Sequence, residues 1–326
     1  KGFILMRFKL TFESKHPSKN KQQVLPINYQ YPVSSWIYKM IHSGNSEFAE
    51  WLHSKGYMDQ NKQFRLFNFS NLQIHKARAK GDRLMIGSPE ISLIISFYPI
   101  EMLEYFITGL FKNQHFSIGD KKSQADFIVK TVERLPEPAI NEEMEFQTLS
   151  PVLVSYKKDA SMKYADYLHP ENGYYAELLV RNLVAKYNTF YGKKAKIQKS
   201  VQEAERRVSD DNKITDPWLI HAEAEGINDN ENTRSGLPNS NDRQAATGEH
   251  ALSIEKMAYH FELLSEPKSK LITIKSGTAE ESQLRGYLYK FRLSAPVNLM
   301  RMGYYAGFGE KNSLGFGCGE VVEKVK

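Results

Sequence analysis

The sequence predicts an α+β fold with two tandem domains, and three observations lead to this prediction. The first part of the chain alternates strand and helix patterns in the order β-α-β-β-α-β, which is the ferredoxin-like arrangement. Residues 135–145 are then rich in proline and acidic side chains, which is typical of a domain boundary. Strand and helix patterns begin again after this segment, and 326 residues suffice for two domains. We therefore predict an N-terminal domain over residues 6–138 and a less regular C-terminal domain over residues 146–326.

The elements of the N-terminal domain follow from the spacing of apolar residues. Apolar side chains alternate with polar ones from Met6 to Phe12, which predicts a half-buried strand. Apolar residues then recur at helical spacing up to Ile41, with Pro32 suited to the first turn and Gly44 to the end of the helix. The remaining predicted elements are a helix over 46–54, strands over 64–70, 83–86 and 91–97, a helix over 101–112 and a strand over 127–134.

The C-terminal domain is predicted from weaker patterns. Its predicted elements are a strand over 146–154, a helix over 171–191, strands over 270–275 and 286–293 and a helix over 297–304. Residues 226–248 are rich in Asn, Asp, Gly and Ser and show no periodicity, so we predict a mobile insertion there.

The charge balance is compatible with a polyanionic partner. Lys and Arg total 44 against 38 Asp and Glu, a net charge of +6, which suits nucleic acid, an anionic membrane surface or a merely basic soluble protein. The single cysteine, Cys318, excludes an internal disulfide and a multi-cysteine metal site, which favours a reducing compartment. No apolar run approaches the roughly 18 residues that span a bilayer. We expect a cytoplasmic protein without membrane association.

The most informative motif is a glycine-rich run near the C-terminus, residues 307–317, which we call the glycine loop. Two Gly-Phe-Gly triplets flank a polar segment that contains Lys311. Glycine lets the main chain adopt positive φ and lie close to a ligand, so that N–H groups can form an anion-binding concavity. A tight strand connection with both phenylalanines in the core is compatible with this interpretation. The residues predicted to receive phosphates are Gly307, Gly309, Lys311, Asn312, Ser313, Gly315 and Gly317.

Four places in the chain carry a family resemblance. They are the strand that opens at Met6, the helix of Tyr38 with Leu52-His53 after it, the restart at Thr148-Leu149-Ser150-Pro151, and the glycine loop. With these features the chain resembles the CRISPR-associated endoribonucleases of the RAMP superfamily, which cut precursor CRISPR RNA within its repeats. The resemblance implies two tandem ferredoxin-like (RAMP/RRM-like) domains with repeat RNA held across them. It also implies metal-independent cleavage that leaves a 2′,3′-cyclic phosphate and a 5′-hydroxyl, so we expect no metal ion and no cofactor.

This reaction needs proton transfer and charge stabilisation, and a few residues suit these tasks. Histidine suits proton transfer because its unperturbed pKa lies near 6.5. His53 lies in the last turn of the second helix, away from the apolar stripe, and a helix C-terminus favours the imidazolium that can protonate a leaving group. The resemblance places the family's catalytic histidine at His53 and its tyrosine at Tyr38. His42, four residues after Tyr38, could also position the 2′-hydroxyl, although it matches no family position.

A basic side chain is needed for the charged phosphorane, and three candidates stay open. Arg65 fits best by its place before an apolar run, and Lys62 and Lys55 are nearby alternatives. The family usually has lysine here, and arginine can carry the charge but cannot serve as a proton donor.

A late strand adds a possible RNA-binding face. Lys290 and Arg292 share one face, whereas Tyr287, Tyr289 and Phe291 share the other, which we expect to be core. The basic face would then track phosphates in a salt-sensitive manner.

A non-catalytic function is the alternative hypothesis. The chain could be a repeat-RNA-binding subunit of a CRISPR interference complex, and contacts with other subunits or a homodimer also remain open. The discriminating feature is whether Tyr38, His53 and Arg65 or Lys62 converge in the folded protein.

Overall fold

The computed structural model describes residues 5–15, 23–59, 62–98, 100–157, 165–210 and 252–322, and the insertion predicted at 226–248 lies outside them. Residues 1–186 and 254–326 form one compact unit, and residues 187–253 form another. The helices are α1 (Gln30–Gly44), α2 (Ser46–Ser54), α3 (Ile100–Lys112), α4 (Tyr175–Asp210) and α5 (Val297–Ala306). None of the described helices is long and apolar enough to cross a membrane.

The strands fall into two principal sheets and several small ones. Those of the first half are β1 (Met6–Ser14), β2 (Gln23–Pro26), β3 (Tyr57–Asp59), β4 (Lys62–Phe64), β5 (Phe67–Phe69), β6 (Ala77–Lys80), β7 (Arg83–Ile86), β8 (Glu90–Phe97), β9 (His115–Gly119) and β10 (Gln124–Arg134). Those of the second half are β11 (Glu143–Thr148), β12 (Ser155–Tyr156), β13 (Asp166–Tyr167), β14 (His260–Leu263), β15 (Lys268–Ile274), β16 (Ser282–Leu288), β17 (Lys290–Ser294) and β18 (Gly319–Val321).

The first principal sheet has the ferredoxin-like strand order. Its strands lie in the order β5-β8-β1-β10-β9, and all neighbours pair antiparallel. With β1, β5, β8 and β10 as strands one to four, the order is 4-1-3-2, and β9 extends the edge. Helices α1 and α2 connect strands one and two, and α3 connects strands three and four. Helices α1 and α3 approach closely at Gly109, where an added Cβ would lie 1.8 Å from the carbonyl oxygen of Met40.

The second principal sheet repeats this topology. Its strands lie in the order β14-β17-β11-β18, which is again 4-1-3-2 when β11, β14, β17 and β18 are counted as strands one to four. Helix α4 follows β11 and α5 follows β17, as in the first unit. The core here is aromatic: the Phe146 ring lies 4.8 Å from that of Phe308, and the hydroxyls of Tyr175 and Tyr289 lie 2.6 Å apart. The predicted tandem ferredoxin-like fold is therefore confirmed.

Hydrogen bonds from buried side chains to main-chain carbonyls join the two sheets. The guanidinium of Arg7 on β1 is only 2% exposed and donates to the carbonyl oxygens of Tyr304 at 2.8 Å and Gly319 at 2.7 Å. The Asn68 side chain on β5 donates to the carbonyl oxygen of Tyr305 at 2.8 Å. These bonds fix the end of α5 and the start of β18 against the first sheet.

Several predicted elements have different bounds in the structure. The strand predicted over 64–70 is two strands, because Leu66 has φ +51° and interrupts the pairing. The strand predicted over 286–293 is also two, because the chain leaves β15 at Leu288 and pairs with β11 from Lys290 onward. The predicted strand at 146–154 is β11, which ends at Thr148, and the predicted helix at 171–191 begins only at Tyr175. The edge strand β9 was not predicted.

Candidate active site

Helix α2 presents His53 to the surface. Its first turn is capped by the Asn45 side chain, which accepts a hydrogen bond from the Phe48 amide at 2.9 Å. Ala49 and Leu52 are buried, so the helix packs along that stripe. His53 lies in the last turn and is exposed, as its place off the stripe predicts.

The ring of Tyr38, on α1, lies against the imidazole. The Tyr38 and His53 ring centroids are 5.8 Å apart at 82°, and the Phe67 ring supports Tyr38 from another side at 5.6 Å. The Tyr38 hydroxyl forms hydrogen bonds with Ser313 and Arg65. Burial raises the pKa of the Tyr38 phenol, and this outweighs the opposite effects of Arg65 and the two hydrogen bonds. The phenol is therefore protonated at neutral pH.

Leu66, which interrupts the strand immediately after Arg65, turns the backbone so that the Arg65 side chain lies at the C-terminal end of α2. Its Nη2 donates to the carbonyl oxygen of His53 at 2.6 Å, where a cation is favoured by the helix dipole. Gly56, with φ +59°, makes room for the guanidinium, because a Cβ there would lie 3.1 Å from Nη1 of Arg65 and 2.8 Å from the carbonyl oxygen of Phe64. The turn that ends α2 and the break at Leu66 together hold this arginine in place.

Tyr38, His53 and Arg65 thus converge, and Ser313 joins them from the glycine loop; we call these four residues the His53 cluster. If the chain is an enzyme, the sequence predicts that the first three of these residues lie together, and they do. His42 and Lys62 are both exposed, and in the part of the chain that the structure describes no hydrogen bond or ring contact joins either one to this cluster. Their predicted catalytic roles stay predictions.

The glycines of the glycine loop are buried and have a packing role. A Cβ at Gly307 would lie 2.4 Å from Nδ2 of Asn312, and a Cβ at Gly317 would lie 1.9 Å from the carbonyl oxygen of Phe308. Both positions have positive φ, +95° and +75°, which only glycine adopts readily. The buried glycines of the loop are Gly307, Gly309, Gly315 and Gly317.

Several amides of the glycine loop form hydrogen bonds inside the protein, and the predicted phosphate cradle stays a prediction for the other residues of the loop. The amides in question belong to Phe308, Glu310, Gly315 and Gly317, and they donate to the carbonyl oxygens of Gly317, Leu153, Asn312 and Pro151 respectively. These N–H groups are therefore not directed at a ligand. Lys311 is exposed and Ser313 is half-buried, so contact with RNA stays a prediction for these two side chains. Asn312 is buried and serves the loop itself.

A buried lysine on α4, which the sequence analysis did not single out, holds this loop. Lys186 is 2% exposed, and its Nζ donates to the carbonyl oxygens of Gly307 at 2.6 Å and Gly309 at 2.8 Å and to Oδ1 of Asn312 at 2.7 Å. Burial lowers the pKa of Lys186 to about 7, and the Glu310 carboxylate acts in the opposite direction. Three acceptors match the three donors of an ammonium group.

A sequence signal for Lys186 existed in the apolar stripe of its helix. Leu179 and Leu183, one to two turns earlier on the same face, are fully buried. Lys186 continues that stripe three residues after Leu183, and a lysine at such a position is buried only when it is paired.

Arg292, on the predicted basic face of the late strand, forms ion pairs with two glutamates. Its Nη2 lies 2.7 Å from Oε1 of Glu145, and its Nη1 binds Glu262. The pKa of Arg292 is raised, first by the Glu145 hydrogen bond. Acidic residues on the neighbouring strands therefore offset the charge of Arg292, and its contact with phosphates stays a prediction. Lys290 is exposed, and its contact with RNA stays a prediction, whereas the opposite face of Tyr287, Tyr289 and Phe291 is core as expected.

Comparison with known proteins gives a consistent family. The family model described as CRISPR-associated protein Cas6, N-terminal, matches residues 24–133, and the Cas6 C-terminal model matches residues 135–229 and 228–321. The CRISPR-associated endoribonuclease Cas6 1 of Methanocaldococcus jannaschii is 26% identical over 302 residues, 92% of this chain and 88% of that protein. The CRISPR-associated endoribonuclease Cas6 of Pyrococcus furiosus is 24% identical over 304 residues, 93% of this chain and 86% of that protein.

A solved structure shares the fold over nearly the whole length. A Cas6-related protein from Pyrococcus furiosus superposes with a TM-score of 0.65 at 22% identity, covering 98% of this chain and all of that one. The two family models between them match most of the chain, including the segments that carry the His53 cluster. The chain belongs to the CRISPR-associated Cas6 family.

Proposed function

We propose that this protein is a CRISPR-repeat endoribonuclease that binds precursor CRISPR RNA and cuts it within the repeats. The observation that carries the proposal is the convergence of Tyr38, His53 and Arg65 at an exposed surface. Relatives described as CRISPR-associated endoribonucleases support it.

The reaction is an attack of a ribose 2′-hydroxyl on the adjacent phosphorus. The bond from the 2′-oxygen to phosphorus forms while the bond from phosphorus to the 5′-oxygen breaks, which leaves a 2′,3′-cyclic phosphate and a 5′-hydroxyl. The proton of the 2′-hydroxyl passes to water, and the departing 5′-oxygen takes a proton from His53. No metal ion takes part in these steps.

Each side chain of the cluster has a role that its environment supports. His53 is exposed in the last turn of α2, where its imidazole can reach the departing 5′-oxygen of a bound RNA. Arg65 donates to the His53 carbonyl and to the Tyr38 hydroxyl, and three of its five N–H groups remain for the phosphorane oxygens. The protonated Tyr38 phenol is a hydrogen-bonding partner that orients the 2′-hydroxyl. The exposed Lys311 contacts a neighbouring phosphate.

We further propose that residues 6–138 form the catalytic domain and residues 146–326 the RNA-binding domain. The connection between β10 and β11, residues 135–142, supports this division. Repeat RNA then crosses both domains, and other subunits of an interference complex or a second copy of the chain are further candidate partners.

The test is cleavage of the cognate repeat RNA in excess EDTA. We expect the wild-type protein to cut, His53→Ala to cut about 10²–10⁴-fold more slowly, and RNA with a 2′-deoxy scissile nucleotide to resist cutting. His115→Ala, which removes an exposed histidine on β9, is the matched control and should cut normally. End analysis should give the cyclic phosphate. Tight binding without cutting by the wild type would instead make the chain a non-catalytic RNA-binding subunit.

A further inference from the structure

A cleft of about 420 Å³ opens beside the glycine loop. The paired strands β12 and β13, the start of β16 and the glycine loop form its walls. Side chains that line it include Ser155, Tyr167, Gln283, Glu310 and Lys311. The volume is within the range of small-molecule sites and is large enough for one nucleobase.

The cleft lies close to the His53 cluster. Glu310 and Lys311 line the cleft, and Ser313, two residues later, forms the hydrogen bond with Tyr38. Tyr31 packs against the buried cluster that includes Leu153 and Leu284, two residues that also line the cleft. Tyr31 precedes Tyr38 by two helical turns, a rise of roughly 10 Å along α1. RNA held at the cluster therefore has its neighbouring nucleotides within reach of the cleft.

The Glu310 carboxylate is held by one residue in the cleft wall. Its Oε1 accepts from the Ser155 amide at 3.2 Å, and the Ser155 hydroxyl lies 2.9 Å from each carboxylate oxygen. A carboxylate only accepts hydrogen bonds and repels phosphate. It therefore selects a group with N–H donors, while Lys311 beside it attracts the backbone.

An aromatic ring completes the recognition surface. The hydroxyl of half-buried Tyr167 donates to the carbonyl oxygen of Gln283 at 3.3 Å, which fixes the ring in the cleft. Burial raises the pKa of the Tyr167 phenol, and the Glu310 carboxylate raises it further, in keeping with the proximity of the two groups. Unpaired RNA bases commonly stack on such rings and use their Watson–Crick edges for hydrogen bonds.

We propose that this cleft receives one unpaired, amino-bearing base of the RNA, adjacent to the scissile phosphate. The base stacks on Tyr167 and donates to Glu310, and Lys311 contacts the phosphate next to it. Guanine, adenine and cytosine each present an amino group, whereas uracil presents one N–H between two carbonyl oxygens that face the carboxylate unfavourably. This proposal rests on the proposed function for the position of the base, but its test does not depend on cleavage.

The experiment measures binding in the His53→Ala background, so that the RNA stays intact. Labelled cognate repeat RNAs carry uracil, or an abasic site, at each nucleotide near the scissile phosphate in turn. At one amino-bearing position we expect uracil to weaken binding about tenfold, the low end of discrimination by a specific base contact. With Glu310→Gln the weakening should fall below about twofold. Glu320→Gln, an exposed glutamate on β18, should keep the tenfold difference.

A second variant keeps the test decisive if Glu310→Gln fails to fold. Tyr167→Leu removes the stacking ring, so the abasic RNA and the intact RNA should then bind nearly equally. Uracil discrimination unchanged in Glu310→Gln, or an abasic penalty unchanged in Tyr167→Leu, would overturn the proposal. Cleavage by the wild-type protein is scored separately, so an RNA-binding protein that does not cut could still confirm the cleft, and a cutting enzyme could still refute it.

Discussion

The two ferredoxin-like units have the same strand order, yet the surroundings of His53 and Arg65 in one unit differ from those of Lys186 in the other. The N-terminal unit leaves His53 exposed and Arg65 half-buried at the ends of short elements, with hydrogen-bonding capacity to spare. The C-terminal unit buries Lys186 and uses its three donors on the glycine loop. The comparison teaches that a shared topology does not fix function: groups with spare donors at the surface can bind a ligand, whereas groups satisfied in the interior stabilise the fold.

The glycine loop connects the buried Lys186 to the His53 cluster. Ser313 belongs to the loop that Lys186 holds, and it also forms a hydrogen bond with Tyr38. Changes at Lys186 and at the buried glycines of the loop should therefore act through folding, whereas changes at Tyr38, His53 and Arg65 should act on cleavage and leave folding intact.

Lys186→Met should have the largest effect on stability. The methionine keeps much of the buried volume but leaves the acceptors of Gly307, Gly309 and Asn312 without a donor, which we expect to cost roughly 4 kcal/mol of unfolding free energy. Urea denaturation measures it. Lys290→Met, at an exposed position, should change stability by less than about 0.5 kcal/mol. Equal stability of the two variants would show that the loop does not depend on this lysine.

Arg65→Ala should reduce the cleavage rate and leave the stability of the protein nearly unchanged. Cleavage should fall about 10²-fold because the charge on the phosphorane loses its donor, while the urea midpoint stays near that of the wild type. Arg65→Lys should recover part of the rate, since lysine supplies the charge without the planar fork. Arg78→Ala, an exposed arginine on β6, should cut like the wild type. A rate unchanged in Arg65→Ala would point to Lys62 or Lys55 instead.

A pair of glycine substitutions separates packing from backbone strain. Gly317 and Gly81 both have positive φ, but a Cβ at Gly317 would lie 1.9 Å from the carbonyl oxygen of Phe308, whereas nothing lies within 4 Å of one at Gly81. Both alanine variants carry the left-handed penalty of about 1–2 kcal/mol. Gly317→Ala should lose about 2 kcal/mol more, from overpacking. Thermal unfolding compares the two, and equal losses would mean that the loop relaxes freely.

Tyr38→Phe should have the smallest effect. It removes the hydroxyl that contacts Arg65 and Ser313 but keeps the ring against His53 and Phe67. Cleavage should fall about tenfold, the equivalent of one hydrogen bond of about 1.4 kcal/mol. Single-turnover rates at saturating protein measure this. A loss as large as that of His53→Ala would assign Tyr38 a direct role in proton transfer.

Local patterns predicted much of the N-terminal unit correctly. Helix α2 has the predicted bounds, because a stripe of apolar residues and the capping Asn45 define it within nine residues. The errors arose where the chain changes partners: Leu66 breaks one predicted strand and Tyr289 divides another between two sheets. Periodicity cannot detect such breaks, since the apolar pattern continues across them.

The roles of individual polar residues were less predictable. The exposure of His53 followed from its place on a helix, but the neutralisation of Arg292 depends on Glu145 and Glu262, which lie on other strands. Composition was enough to recognise the glycine loop. It did not predict that the loop is a buried turn stabilised by hydrogen bonds from Lys186.

The sequence alone predicted the helices of the first unit, the tandem α+β architecture and the candidate residues Tyr38, His53 and Arg65, because these depend on spacing within short segments and on motifs. Only the tertiary structure decided which charges stay available. Lys186 and Arg292 pair with groups that are distant in the chain. The guanidinium of Arg65 lies against the His53 carbonyl because the strand is interrupted at Leu66 and Gly56 leaves room for it. Whether a side chain can act on a ligand depends on its unsatisfied donors, and these are set by contacts between segments that only the fold brings together.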